Sequence, residues 1–246
     1  MKFRTKAIHV GNERCKLTGA VVPPIHLAST YVQDEPGVWG DYDYSRSGNP
    51  TRDRMEETLA ALENGIGPLA FSSGMAATHC VTMLLNSGDH IVAGADIYGG
   101  TYRLLHKICN RSGIEVSLTD ATDPANLSNA IQSNTKLIWI ESPGNPLMSI
   151  TDITASATVA SEAGVLIAVD NTFATPALTR PLDLGVDNVM HSATKYLGGH
   201  SDALGGALVV KSEELLEQLY FIQNATGNCM SPLDSFLTVS YTHLRA

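Results

Sequence analysis

A lysine stands where an apolar run gives way to hydroxyls and glycines: Val189-Met190-His191 is followed by Ser192-Ala193-Thr194-Lys195-Tyr196-Leu197-Gly198-Gly199. Burial at such a junction disfavours the charged form of an amine and lowers its pKa. A neutral amine is a nucleophile toward an aldehyde. Ser192 and Thr194 flank the lysine with hydroxyls suited to an anion, and Asp170 closes a second apolar run, Val165 to Val169. After a third run comes Ser73-Gly74-Met75. There a glycine admits an anion to the backbone, and a helix start offers free N–H groups and a positive dipole end. Ser142-Pro143-Gly144-Asn145-Pro146 is a rigid turn that fixes an amide side chain. An amine, anion donors and a carboxylate are what an aldehyde cofactor with a phosphate and a basic pyridine nitrogen requires, so the set points to pyridoxal phosphate.

Other chemistries fit poorly. Gly65-Ile66-Gly67 precedes a strand instead of following one and lacks the third glycine of a dinucleotide fingerprint, and no Gly-Lys-Ser or Gly-Lys-Thr occurs. His191 and His200 have no Cys or second His at helical spacing, so no metal site is expected. Cys15, Cys80, Cys109 and Cys229 are scattered without paired spacing. They are assigned no role and fit a reducing, cytoplasmic setting.

Positioning these groups requires an α/β architecture. From about residue 68, short apolar runs alternate with helical stretches, the pattern of βαβ units in a mostly parallel sheet. Strands are expected at Leu69–Ser72, His90–Ala93, Glu115–Thr119, Lys136–Glu141, Val165–Asp170, Asn188–Ser192 and Ala207–Lys211. Helices are expected at Met75–Leu85, Thr101–Arg111, Pro124–Ser133, Ile153–Ala163 and Glu213–Asn224, and an earlier one starts at Asn49-Pro50-Thr51 and stops at Gly65. The strand runs are continuous rather than alternating, so both sheet faces should be covered. Ligands of such sheets bind beyond the carboxyl ends of the strands, where the residues above fall. The first fifty residues lack periodicity and read as an extended arm.

At 246 residues the chain allows one large domain or two small ones, at about 150 residues per domain. Its 16 Lys and Arg against 25 Asp and Glu leave a net charge of −9, no footprint for a nucleic acid or an anionic membrane. With 43% hydrophobic and 17% charged residues it is a globular composition. The basic N-terminus is not followed by a signal-like apolar run, and no stretch has the length of a membrane span.

The segments Val21-Val22-Pro23-Pro24-Ile25-His26, Tyr44-Ser45-Arg46 with Gly48-Asn49-Pro50-Thr51-Arg52, and Ser73-Gly74-Met75-Ala76 form the first part of a wider pattern. It continues with Tyr98-Gly99-Gly100-Thr101-Tyr102, Glu141 to Pro146, Val169-Asp170-Asn171-Thr172, and His191 to Tyr196. Together they resemble the pyridoxal-phosphate enzymes of cysteine and methionine metabolism, from residue 2 to 239. The resemblance implies an aspartate-aminotransferase-type (fold type I) large domain with a mostly parallel seven-stranded sheet and helices on both faces. Residues 1–50 would be the N-terminal arm, 51–239 the cofactor domain, and 240–246 a non-native tail, with the C-terminal small domain missing.

It further implies that Lys195 holds the cofactor covalently and, once freed, moves protons between substrate carbons. Asp170 would keep the pyridine nitrogen protonated, and Tyr98 would stack on the ring. Gly74, Met75, Ser192 and Thr194 would bind the phosphate, and Asn145 would lie near the cofactor's hydroxyl. Tyr44 and Arg46 would reach the phosphate of a neighbouring subunit, so a homodimer or homotetramer is implied. Within the family, Val21 to His26, Asp43 to Arg46 and Tyr98 to Gly100 resemble most the branch that replaces the activating acyloxy group of an O-acylhomoserine with cysteine. Branches that eliminate at Cγ of cystathionine or methionine share almost all these residues.

Two departures stand out. Gly144 occupies a position where a small hydroxyl residue is common, which is expected to loosen the turn. From Ser240 onward the pattern stops, and the arginine that grips the substrate α-carboxylate in this family belongs to the part that would follow. The expectation is a truncated or chimeric reading frame with impaired turnover, or, in a different class, an inactive cofactor-binding or self-associating fragment.

Overall fold

In a computed structural model, residues 1–240 are described. The strands are β1 Ile66–Phe71, β2 His90–Gly94, β3 Glu115–Thr119, β4 Thr135–Glu141, β5 Leu166–Asp170, β6 Asn188–His191 and β7 Gly206–Val210. The helices are α1 Phe3–His9, α2 Pro50–Glu63, α3 Gly74–Thr82, α4 Gly99–Arg103, α5 Pro124–Ala130, α6 Ile153–Ala163, α7 Thr175–Leu178, α8 Glu213–Thr226 and α9 Pro232–Ser240. One seven-stranded sheet runs in the order β1-β7-β6-β5-β4-β2-β3. Only β7 is antiparallel to its neighbours. Among the described residues no helix is long and apolar enough to cross a membrane.

The continuous strand runs are covered on both faces, as expected. Along β4, Ile138 and Ile140 join the core cluster containing Met55 and Leu59 of α2 and Ile153 of α6. Leu137 and Trp139 point the other way, into the cluster built on Ala77 and Val81 of α3 and Leu215 and Leu219 of α8. This two-residue alternation also decides the faces of the strand-final residues. Glu141 and Asp170 follow Trp139 and Ala168 toward the α3 face, whereas His191 turns to the α2 face.

The helices begin where caps allow. Asn49 accepts from the N–H groups of Thr51 and Arg52 ahead of α2, and Ser73, Asp123, Asp152 and Ser212 cap α3, α5, α6 and α8. Helix α2 ends one residue before the expected Gly65, at Asn64 in the left-handed conformation. The helix expected at Thr101–Arg111 is not uniform. It starts at Gly99, widens into a π-turn over Leu104–Cys109, where the Asn110 N–H reaches the Leu105 carbonyl, and closes in a 3-10 turn. Helices α1 and α7 are too short to leave a periodic signal. The arm is largely irregular, with Val21, Val32 and Trp39 exposed. Of the expected tail, residues 241–246 lie outside the described residues.

Candidate active site

At the carboxyl ends of β1, β4, β5 and β6 lies a cavity of about 450 Å3, within the roughly 300–1,000 Å3 usual for small-molecule sites. Lys195, Asp170, Tyr98, Asn145, Gly74, Met75, Ser192 and Thr194 all line it, so the topology gathers eight residues spread over more than a hundred positions. Tyr44 and Arg46 do not. Arg46 donates to the backbone carbonyl of Asn224 and to its Oδ1 (2.8 Å), and lies 5.2 Å from the Tyr44 ring.

Asp170 is buried. Its Oδ1 accepts from the Thr172 hydroxyl (2.5 Å) and the Thr172 N–H (3.0 Å). Burial raises its pKa, and the Thr172 bonds and then His191 only partly offset that. No cation pairs with it in any ion pair among the described residues. The same Thr172 hydroxyl accepts from the Ser192 N–H at 2.8 Å, so one side chain links the carboxylate to the loop that carries Lys195.

Glu141 lies beside Asp170 in the β4–β5 register. It lines the cavity, and its Oε2 accepts from the Tyr98 N–H at 2.7 Å. Burial first, then the neighbouring Asp170 charge, push its pKa up to about 8 against the pull of the Tyr98 N–H. Sequence reasoning gave Glu141 and Thr172 no role. The available signal was that two apolar strands, Leu137 to Ile140 and Leu166 to Val169, each end in an acid.

The first turn of α3 supplies donors. Ser73 takes the Ala76 and Ala77 N–H groups with its hydroxyl and carbonyl, and the N–H groups of Gly74 and Met75 have no acceptor within the helix. Lys195 corrects an expectation. It is exposed, not buried, because it sits in the turns after β6 at the open mouth of the cavity. Gly144 corrects another. The turn is not loosened, since Asp96 accepts from the N–H groups of Leu147 (3.1 Å) and Ser149 (3.2 Å) and from the Ser149 hydroxyl (2.6 Å). A Cβ on Gly144 would stand 2.4 Å from Asp96 Oδ2, so the glycine is what lets Asp96 approach.

On the opposite sheet face, His191 Nε2 meets Glu63 Oε1 at 2.6 Å with both side chains fully buried, and Asn171 Nδ2 donates to the same oxygen at 3.1 Å. This network ties the ends of β5 and β6 to α2. A second cavity of about 480 Å3, between the arm, α2 and α8, is lined by Asp41, Asp53, Glu56 and Glu217 and offers no amine nucleophile.

A profile of the Cys/Met metabolism PLP-dependent enzymes matches residues 4–241. The chain belongs to this family. Cystathionine gamma-lyase of Bacillus subtilis (strain 168) is 52% identical over 237 residues, 96% of this chain and 62% of that protein. Cystathionine beta-lyase of Coxiella burnetii is 49% identical over 237 residues, 96% of this chain and 61% of that protein. A crystal structure of cystathionine gamma synthase from Xanthomonas oryzae pv. oryzae, in complex with aminoacrylate and cysteine, matches with a TM-score of 0.94 at 44% identity. That match covers 98% of this chain and 62% of the other. The chain therefore spans less than two thirds of the length of these relatives.

The sheet is that of the fold type I members of this pyridoxal-phosphate-dependent family. The cavity's own chemistry fits the cofactor. A desolvated carboxylate that no ion pair engages among the described residues suits a protonated ring nitrogen, and free helix N–H groups suit a phosphate. The buried Thr101 hydroxyl, which lines the cavity without a hydrogen-bond partner among the described residues, leaves one more polar group for a ligand.

Proposed function

We propose that the chain is the cofactor-binding part of an enzyme that replaces the acyloxy group at Cγ of an O-acylhomoserine with the sulfur of cysteine, giving cystathionine and releasing the acyl group as its carboxylate. The carrying observation is one cavity that joins the Lys195 amine, the unpaired Asp170 carboxylate and the Gly74 and Met75 N–H groups. Pyridoxal phosphate supplies an electron sink that stabilises negative charge developing at the substrate α-carbon.

The protein's residues do the rest. Asp170 holds a proton on the ring nitrogen. Gly74, Met75, Ser192 and Thr194 would hold the phosphate, Tyr98 would pack against the ring, and Asn145 would serve the cofactor's hydroxyl. Lys195 would hold the cofactor through its amine and, once freed, would take and return protons at the substrate carbons. Its exposed position at the cavity mouth leaves the amine free to move between these atoms.

The same reading takes residues 1–50 as an arm and 51–239 as the cofactor domain. It places the protein in the cytoplasm as a homodimer or homotetramer, with Tyr44 and Arg46 reaching the neighbouring subunit's phosphate. The described lining of the cavity contains no arginine to pair a substrate α-carboxylate. Orientation is then poor, and the 246 residues alone are expected to bind cofactor with little turnover. The 52% identity to a gamma-lyase favours γ-elimination as a second reading.

Loading the protein with pyridoxal phosphate is expected to produce a visible absorbance band that Lys195→Ala abolishes. No band in the folded protein overturns the proposal. Cystathionine formed from O-succinylhomoserine and cysteine separates replacement from elimination, which releases a 2-oxo acid and ammonia. Brisk turnover by these residues alone would refute the expected impairment.

A further inference from the structure

Tyr98 ends the loop between β2 and α4, and that loop is fastened on both sides of Ile97. Asp96 holds it to the 147–149 backbone, away from the cavity, and Glu141 takes the Tyr98 N–H at the cavity wall. The direction of the Tyr98 ring follows its backbone closely. A Cβ on Gly100 would lie 2.3 Å from Tyr98 Cε1 and 2.9 Å from Met75 Sδ, so the ring is folded back on the first turn of α4 beside the start of α3.

Glu141 is an expensive acceptor. It is 7% exposed and sits beside a second buried carboxyl, where desolvation and like charge both oppose ionisation. The Tyr98 N–H is its one hydrogen-bond donor among the described residues.

We infer that Glu141 is a positioning residue, whose Oε2 fixes the Tyr98 backbone and thereby aims the aromatic ring over the cavity. The inference rests on the proposed role of Tyr98 as the group covering the cofactor ring. Glu141 acts through Tyr98, and the acceptor oxygen, not the charge, is what Tyr98 requires.

Hydrogen–deuterium exchange at the Tyr98 amide of the cofactor-free protein, compared among wild type, Glu141→Gln, Glu141→Asp and Glu141→Ala, tests the hold directly. Loss of a hydrogen bond to a buried carboxyl predicts exchange faster by about tenfold in Glu141→Ala, and pyridoxal-phosphate affinity weaker by about the same factor. Glu141→Gln keeps an acceptor oxygen and stays within about threefold of wild type in both measurements. Glu141→Asp, a small change that preserves the acid, withdraws the oxygen by one methylene and falls between them. It serves as the decisive variant if the alanine protein fails to fold.

Wild-type exchange in Glu141→Asp and Glu141→Ala overturns the inference. So does faster exchange with unchanged cofactor affinity, or a glutamine variant as impaired as alanine. If wild type itself shows no cofactor band, the proposed function fails, while the exchange ratios still decide whether Glu141 holds Tyr98.

Discussion

The strand ends and the N-terminal arm carry candidate residues in opposite ways. Around the cavity, Asp170 and Glu141 are fixed by strand register, Thr172 bonds Asp170 and the Ser192 backbone at once, and the α3 N–H groups are held by the helix. In the arm, Tyr44 and Arg46 are exposed, and the guanidinium rests on the last turn of α8. The first region is gathered within one chain because parallel strands deliver their ends to one place. The second is ordered by its own surface and is incomplete with respect to the cavity. A group built into the sheet should fail with the fold when altered, and a group on the arm should fail only in what it reaches.

The largest effect is expected behind the sheet. Glu63→Ala removes the oxygen that both His191 Nε2 and Asn171 Nδ2 meet in a fully buried setting, leaving Asn171 only the Thr179 carbonyl. Leaving a buried polar group without its partner costs about 1–3 kcal/mol. Urea unfolding is expected to show that loss, with cofactor affinity reduced alongside because Asn171 and His191 adjoin Asp170 and Ser192. A Glu63→Ala protein as stable as wild type would sever the link between the α2 face and the cavity.

A smaller effect separates the two regions by pH. Glu141 at the strand ends and Glu56 beside the arm-side cavity are both raised to about 8, each chiefly by burial. For Glu56 the Arg52 charge and the Ala70 N–H pull the other way. An acid with a raised folded pKa keeps a proton that the unfolded chain releases above its ordinary range. The folded state then binds more protons between that range and about 8, and stability falls as pH rises through this window. The urea midpoint of the cofactor-free protein is expected to drop from about pH 5 to about pH 8. Glu56→Gln and Glu141→Gln should each flatten part of the slope. A midpoint constant across that range contradicts both.

The same contrast explains what was legible in the sequence. Strands such as Leu166–Asp170 could be read because burial on both faces leaves an unbroken apolar run; Asp170 stood out because it ends such a run, and Lys195 because hydroxyls flank it just past another. Glu141 ends one as well. Its meaning depends on the β4–β5 register and on a loop forty-three positions away, neither of which periodicity encodes. The exposure of Lys195 was missed for a related reason. The run before it is buried, but the chain turns outward after His191. The Gly144 turn was misjudged because Asp96, which fills the space of its absent Cβ, is distant in sequence. Spacing speaks against His191 as a metal ligand and gives it no role, and only strand alternation puts it on the Glu63 side.

The smallest effect on the fold, and the sharpest on the comparison, belongs to Arg46. Its hydrogen bonds to Asn224 are at the surface, so Arg46→Ala should change thermal stability by less than about 1 kcal/mol. If the guanidinium reaches a phosphate in a neighbouring subunit, its removal should weaken pyridoxal-phosphate binding only where the protein is assembled. Affinity measured across a dilution series, with the assembly state followed by light scattering, distinguishes the cases. The expected result is a loss of about tenfold in the assembled range, the size of one charge-assisted phosphate contact, and no difference from wild type on full dissociation. An equal loss at every concentration would mean that the arm serves its own cavity, which its present attachment to α8 does not allow without rearrangement. No loss at any concentration would leave Arg46 as a surface contact of α8, and the strand ends as the whole of the cofactor site.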